Sequence, residues 1–216
     1  MATVPNGFIK HEVAHHFDTA EQEFETAKLG MWAFLGQELL FFSGLFVAYA
    51  IFRFLYPEMF IDAHNHLSWK MGALNTVFLI TSSFTMVMGV RSAQLSRKKP
   101  MLWYLGSTFV FACAFLIVKY FEYTEKFHHG LLPAPWFSAE GIFENTHLFY
   151  GIYFVLTGLH GLHVLIGMGL IAWILIRGAR GEFYADYYTP VEMVGLYWHL
   201  VDLIWIFLFP LLYLIG

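Results

Sequence analysis

The sequence predicts an all-α fold, a polytopic membrane bundle of five transmembrane helices. Of its 216 residues, 58% are hydrophobic and only 13% are charged, and the mean hydropathy is +0.58. Soluble domains carry about 25% charged residues, so this composition indicates an integral membrane protein. Five apolar segments are each long enough to cross a hydrocarbon core, which takes about 20 helical residues. Runs of this length exclude the much shorter strands of a membrane barrel.

The five spans follow one another along a transmembrane domain that covers residues 29–216. We place the spans at residues 29–54, 71–92, 101–121, 145–177 and 190–215. The fourth segment is longer than one crossing requires, so it should tilt or project beyond the bilayer. Chain-breaking prolines fall at or beyond the ends of the spans, as expected of loops. These prolines are Pro57, Pro100, Pro133, Pro135 and Pro190.

The charged connections predict the orientation of the bundle. The loops after the second and fourth spans are basic, whereas the alternate connections are acidic or neutral. The basic residues are Arg91, Arg97, Lys98, Lys99, Arg177 and Arg180, and the acidic ones are Glu58, Asp62, Glu122, Glu125, Glu140 and Glu144. Because cytoplasmic loops are enriched in Lys and Arg, the segment 1–28 is expected in the cytoplasm and the C-terminus outside.

Charge and cysteine content exclude several classes of protein. The net charge of −4 provides no basic field for nucleic acid. The single cysteine, Cys113, lies inside a predicted span, so a disulfide framework is impossible. No phosphate-binding loop, nucleophile elbow or Cys-rich metal site is present in the sequence.

Glu38 is the most unusual residue of the first span. Its neighbours one and two helical turns away are all apolar, so its own helix offers no partner. It must therefore meet a partner from another helix, meet water, or hold its proton, and we expect it to be protonated at neutral pH. Two interpretations stay open. Glu38 is either a protonated carboxyl that makes one interhelical hydrogen bond, or a group that handles protons or contacts lipid.

The fourth span carries His160 and His163 in the run Gly158-Leu159-His160-Gly161-Leu162-His163. Gly151, Gly158 and Gly169 fall on one side of this helix and predict a small-residue ridge that packs against a neighbour. The two histidines face another direction. Histidines at i and i+3 can bind a metal only with further ligands, so hydrogen-bonded interhelical histidines are favoured over a metal site.

A heme-binding membrane anchor is a second interpretation of the histidines. His147 and His160 have a spacing that lets one helix ligate two stacked hemes, but such a site needs two histidines from a partner helix. His199 is the only other deep histidine, so a diheme bundle lacks one ligand. A proton-coupled transporter that uses Glu38 is a third interpretation, although no inverted repeat or pair of broken helices is visible.

Two further polar pairs lie in or near the spans. His199 and Asp202 share a helix face at i and i+3 in the last span and could neutralise each other. Lys119 and Glu122 have the same spacing at the end of the third span. We expect this second pair to be a local ion pair at the membrane interface, where the long lysine stem can reach the headgroups.

These residues occur within motifs that resemble subunit III of the heme–copper oxidases. The motifs appear in family order over nearly the whole chain beyond residue 28. They are Gln37-Glu38-Leu39-Leu40-Phe41-Phe42, Leu74-Asn75-Thr76 with Ser82-Ser83, Glu122-Tyr123-Thr124-Glu125, Thr157-Gly158-Leu159-His160-Gly161-Leu162-His163-Val164 and Tyr197-Trp198-His199-Leu200-Val201-Asp202-Leu203-Ile204-Trp205. The double-histidine motif and the long final motif are the specific ones. The chain resembles the shorter bacterial members, which lack two N-terminal spans of the seven-span forms.

The resemblance implies a non-catalytic subunit of a proton-translocating cytochrome c oxidase in the bacterial inner membrane. Such a subunit has no cofactor of its own, while heme and copper reside in the partner subunits. It packs directly on subunit I, associates with subunit II, binds phospholipid and supports proton uptake and stability of the catalytic subunit. The family's membrane carboxylate corresponds to Glu38. A quinol oxidase subunit and a nitric oxide reductase-associated protein are alternatives.

The residues expected to handle protons or to contact lipid are therefore a small set. None is expected to be catalytic or to bind a metal. The set comprises Glu38, Glu122, His160, His163, His199 and Asp202.

Overall fold

A computed structural model describes residues 3–4, 8–9, 11–65, 67–131 and 146–215. The elements are two short strands, β1 (Thr3–Val4) and β2 (Phe8–Ile9), and the helices α1 (Ala20–Leu55), α2 (Pro57–Asn65), α3 (Trp69–Gln94), α4 (Lys98–His128), α5 (Thr146–Arg180) and α6 (Thr189–Tyr213). The two strands form an antiparallel pair. Five helices, α1 and α3 to α6, are long and apolar enough to cross a membrane. The predicted number of spans is confirmed.

Two of the spanning helices extend well beyond the apolar segments that predicted them. α1 begins at Ala20, where the side chain of Thr19 accepts a hydrogen bond from the backbone N–H of Gln22 and acidic residues occupy the first turn. Such a cap and such charges stabilise a helix N-terminus without any apolar content. α4 continues to His128, so Glu122 lies within the helix rather than at its end. The connection with Pro133, Pro135, Trp136, Glu140 and Glu144 lies outside the described residues.

α6 lies at the centre of the bundle. A larger share of its apolar window is buried than in any other spanning helix, and it packs against α3, α5 and α1. α3 and α4 form an antiparallel hairpin, and α4 also packs against α5. Two tryptophans of α6, Trp198 and Trp205, are fully buried. Their indole N–H groups donate to Ser82 and Thr76 of α3, each at 3.0 Å, which fixes the register of these two helices.

The predicted glycine ridge on α5 is wrong. A Cβ atom placed on Gly151 or Gly169 would meet no atom within 4 Å, and on Gly158 it would meet only the hydroxyl of Tyr123 at 4.0 Å. The close approach occurs at Gly167 instead, where a Cβ atom would lie 2.7 Å from the ring of Trp198. The contact depends on which face of α5 meets α6, and spacing alone does not determine that face.

Three segments meet at one end of the bundle. The backbone N–H of Ile9 donates to the carbonyl of Gly181 at 3.0 Å, and the ring of His11 stacks on Tyr187 at 3.6 Å. The N–H of Ala185 donates to the hydroxyl of Ser96 at 2.9 Å. The N-terminal segment, the α3–α4 connection and the α5–α6 connection therefore share one side, which is the arrangement that spans of alternating direction require.

Candidate functional sites in the bundle

Glu38 meets a partner on another helix, which is one of the three possibilities expected from the sequence. Its Oε2 atom lies 3.1 Å from Nε2 of His163 on α5, and each side chain is only 13% exposed. The ring of Phe42, one turn along α1, packs edge-on against the imidazole with centroids 5.2 Å apart. The pair therefore joins α1 to α5 inside an apolar setting, and it confirms that His163 is a hydrogen-bonded interhelical histidine.

The geometry fixes how many protons this pair holds. Nδ1 of His163 lies 2.7 Å from the carbonyl oxygen of Leu159. A carbonyl oxygen only accepts, so Nδ1 must carry a hydrogen. The contact between Nε2 and Oε2 of Glu38 then needs one further proton, which resides either on the imidazole or on the carboxyl group. Both arrangements leave the pair neutral overall, which is the least costly state for ionisable groups at this depth.

A third residue, Tyr197, supports the pair, and this role was not predicted from the sequence. The hydroxyl of Tyr197 on α6 donates to the backbone carbonyl of His163 at 3.0 Å. This bond ties α6 to the turn of α5 that carries the imidazole. Tyr197 belongs to the last motif of the sequence, but its role depends on a backbone atom 34 residues away, which no local pattern reveals.

An apolar cavity of about 480 Å³ lies between α1, α5 and α6 on the N-terminal side of the pair. Met31 and Phe34 of α1, Trp173 of α5 and Met193 of α6 line it, and Tyr197 closes it toward the pair. Glu23 of α1 adds a polar group to its lining. Its wall is almost entirely hydrocarbon and aromatic, which suits an acyl chain better than a polar ligand.

His160 occupies a different environment from His163. It is fully buried, and its ring packs against Phe115 and Trp205 with centroids 5.6 and 5.2 Å apart. Neither ring nitrogen has a hydrogen-bond partner among the described residues. The favoured prediction of a hydrogen-bonded interhelical histidine is therefore confirmed for His163 but not for His160. In the described ranges, no group of three or more His, Cys, Asp or Glu side chains comes together as metal ligands would.

Lys119 and Glu122 form the predicted ion pair, with Nζ and Oε2 3.0 Å apart, but its predicted location is wrong. The pair is buried between α4, α5 and α6, with Lys119 7% and Glu122 0% exposed. Lys119 also donates to the hydroxyl of Tyr213 at 2.7 Å, and Tyr153 donates to Oε1 of Glu122 at 2.8 Å. The tyrosines replace water and headgroups as partners, so the lysine has no need to reach the interface.

His199 and Asp202 do not neutralise each other, contrary to expectation. Nδ1 of His199 is bonded to the hydroxyl of Ser83 on α3 at 2.7 Å. Asp202 is 3% exposed, and the polar side chain beside its carboxyl group is that of Ser83 rather than that of His199. Both residues line the same groove between α3 and α6.

Comparison with known proteins adds sequence relationships to this geometry. Residues 9–216 match the family model for cytochrome c oxidase subunit III. Cytochrome c oxidase subunit 3 of Thermostichus vulcanus is 33% identical over 199 residues, which cover 92% of each chain. The corresponding protein of Alkalihalophilus pseudofirmus is 31% identical over 206 residues, with 93% of this chain and 92% of the relative covered. Cytochrome bo(3) ubiquinol oxidase subunit 3 of Pseudomonas aeruginosa is 29% identical over 219 residues, with 95% and 93% covered.

Proposed function

Because the chain belongs to the cytochrome c oxidase subunit III family, we propose that it is subunit III of an aerobic respiratory terminal oxidase of the cytochrome c oxidase type. It contributes no redox centre. Heme and copper reside in the partner subunits, and this chain packs directly on subunit I and associates with subunit II. Its role is to support proton uptake by the catalytic subunit, to bind phospholipid and to stabilise the assembled enzyme.

The Glu38–His163 pair is the observation that carries this proposal. It is a membrane-embedded carboxyl group at hydrogen-bond distance from an imidazole, 3.1 Å, and the contact between them contains one shared proton. Such a pair can exchange a proton with water or a neighbouring group and return to a neutral state.

The apolar cavity beside α1 supports the lipid role. It holds about 480 Å³, enough for part of an acyl chain, and it extends along α1 from Glu23 to the turn before Glu38. A phospholipid whose chain fills this space would pack α1 against α5 and α6. Since α1 otherwise contacts the other spanning helices sparingly, a bound chain would stabilise its position and therefore that of the Glu38–His163 pair.

A quinol oxidase subunit is the second candidate. The relative from Pseudomonas aeruginosa, whose name identifies a ubiquinol oxidase, is matched over nearly its whole length. Neither proposal assigns the site for the electron donor to this chain. The partner subunits therefore distinguish the two, since a cytochrome c oxidase has a copper-bearing domain on subunit II.

We predict that the chain copurifies in gentle detergent with a large subunit that bears heme and copper. The reason is the family match over residues 9–216. Mass spectrometry identifies the partners, and metal analysis of the separated subunit checks that it holds neither iron nor copper. One tightly bound iron or copper atom per separated chain would contradict this proposal, and heme iron would instead favour the heme-binding anchor.

We place the protein in the bacterial inner membrane with its N-terminus in the cytoplasm, from the charge of its loops. In a Cys113→Ser background, an impermeant thiol reagent should label Glu58→Cys on intact cells, because α2 lies on the outer side. Ala185→Cys, which is exposed in the α5–α6 connection, should react only after the membrane is permeabilised. The reverse pattern would invert the topology.

A further inference from the structure

An N-terminal strap, formed by β1, β2 and His11, is packed on the α5–α6 connection. Phe8 is 7% exposed, and its ring packs against that of Tyr184 with centroids 5.8 Å apart. The backbone N–H of Ile9 donates to the carbonyl of Gly181 at 3.0 Å, and that of His11 donates to the hydroxyl of Tyr184 at 3.2 Å. Backbone and side-chain contacts therefore hold the strap on this connection.

His11 extends this contact to α1. Its Nε2 atom lies 2.9 Å from Oε2 of Glu23 on α1, and the two side chains are 21% and 22% exposed. Its ring also stacks on that of Tyr187, with centroids 3.6 Å apart and planes inclined by 9°. One imidazole therefore joins α1 to the α5–α6 connection.

Both side-chain partners of His11 line the apolar cavity beside α1. Glu23 and Tyr187 lie at the end of the cavity near the strap, and Phe34 lies at its far end, about 16 Å from Glu23 along α1. Beyond that end, the Glu38–His163 contact joins α1 to α5. Only 11% of the apolar window of α1 is buried, the smallest share among the spanning helices. The position of α1 beside the cavity therefore depends strongly on these two polar contacts.

We infer that the N-terminal strap regulates the cavity: through His11 it holds α1 close to the α5–α6 connection, and its release frees a bound acyl chain. The inference rests on the proposed lipid role and adds the element that controls the site. An acyl chain contacts both walls only while they are held together, because dispersion attraction falls steeply with distance. The strap can change lipid affinity by no more than the free energy of its own contacts, which for one hydrogen bond is roughly two- to tenfold.

Lipid retention by the assembled oxidase tests this inference. The enzyme is loaded with a phosphatidylcholine that carries deuterated acyl chains, and mass spectrometry counts the molecules retained after gel filtration in detergent. Ala27→Trp places an indole at the cavity wall, so the lipid that this variant loses is the cavity-bound fraction. His11→Ala should lower that fraction roughly two- to tenfold. His15→Ala is the matched control and should leave it unchanged, because His15 is exposed and its ring contacts that of His16.

Two further measurements show whether His11 acts through the strap. Adding Glu23→Ala to His11→Ala should lower the cavity-bound fraction no further, because both changes break the same contact. In His11→Ala, hydrogen exchange should be faster at the amide of Ile9, whose bond to Gly181 holds the strap in place. A further loss in the double variant, or unchanged exchange at Ile9, would contradict the role of His11.

The remaining outcomes separate this inference from the proposed function. Faster exchange at Ile9 with an unchanged cavity-bound fraction would overturn the regulation and leave the proposed function intact. Equal lipid retention by Ala27→Trp and the wild type would show that the cavity holds no phospholipid. That result would overturn the lipid role together with the inference.

Discussion

Glu122→Leu is expected to destabilise the isolated bundle by about 3–5 kcal/mol, because it leaves the ammonium group of Lys119 buried without its counter-ion. Glu122 is fully buried and accepts hydrogen bonds from Lys119, Tyr153 and Tyr213, which come from three different helices. Its removal therefore disrupts the polar contacts between α4, α5 and α6 together. Equilibrium unfolding of the purified chain in mixed detergent micelles measures the loss.

Two controls separate this effect from a general cost of mutation. The double variant Lys119→Met/Glu122→Leu removes both charges, so it should recover most of the lost stability. Glu182→Ala breaks a partly exposed ion pair, in which Nε of Arg177 and Oε2 of Glu182 are 2.6 Å apart. That change should cost no more than about 1 kcal/mol. A single Glu122 variant as stable as the wild type would show that the cluster contributes nothing to folding.

Gly167→Val is the second change with a large expected effect, a loss of about 1–3 kcal/mol or more from overpacking. A Cβ atom at this position would lie 2.7 Å from the ring of Trp198 and 3.2 Å from Tyr197. The indole cannot easily move, because it is fully buried and donates its N–H to Ser82. The substitution should therefore separate α5 from α6 and lower the thermal midpoint of the chain in detergent.

Gly169→Val is the matched control for this prediction. Gly169 lies in the same helix, and the substitution adds the same side chain. A Cβ atom at Gly169, however, would meet nothing within 4 Å. Its thermal midpoint should stay near that of the wild type. Equal losses at both positions would mean that the helix tolerates β-branched residues poorly throughout, and that the contact with Trp198 is not the cause.

The fold could be predicted from the sequence because each spanning helix forms its backbone hydrogen bonds within itself. Apolar length alone identifies such helices, and five were found. The predicted ends of the helices were less accurate where a helix end is stabilised by something other than apolar content. At α1, a threonine cap and acidic residues start the helix nine residues before the predicted span. At α4, the helix continues because Lys119 and Glu122 find buried partners.

The candidate residues were identified by a different argument, that ionisable groups are rare and costly in a membrane. That argument selected Glu38, His163, Glu122 and Asp202 as unusual, but it did not determine their partners. The contact of Glu38 with His163 joins residues 125 positions apart. The pairing of His199 with Asp202, favoured by their spacing, gives way to a bond with Ser83. Partners of this kind depend on how the helices pack.

The family role also places Glu38 within a larger enzyme. A group that shares one proton with an imidazole inside the bundle can assist proton supply only if the catalytic subunit draws protons nearby.

Depletion of this chain from the purified oxidase tests the supporting role most directly. The depleted enzyme should still reduce oxygen in a short assay. Its turnover should fall more steeply than that of the intact enzyme as the pH rises, because free protons become scarce. It should also lose activity faster during sustained turnover. Rebinding of the wild-type chain should restore both properties, and rebinding of Glu38→Gln should restore them less completely. Complete loss of oxygen reduction on depletion, with intact heme and copper spectra, would contradict the account.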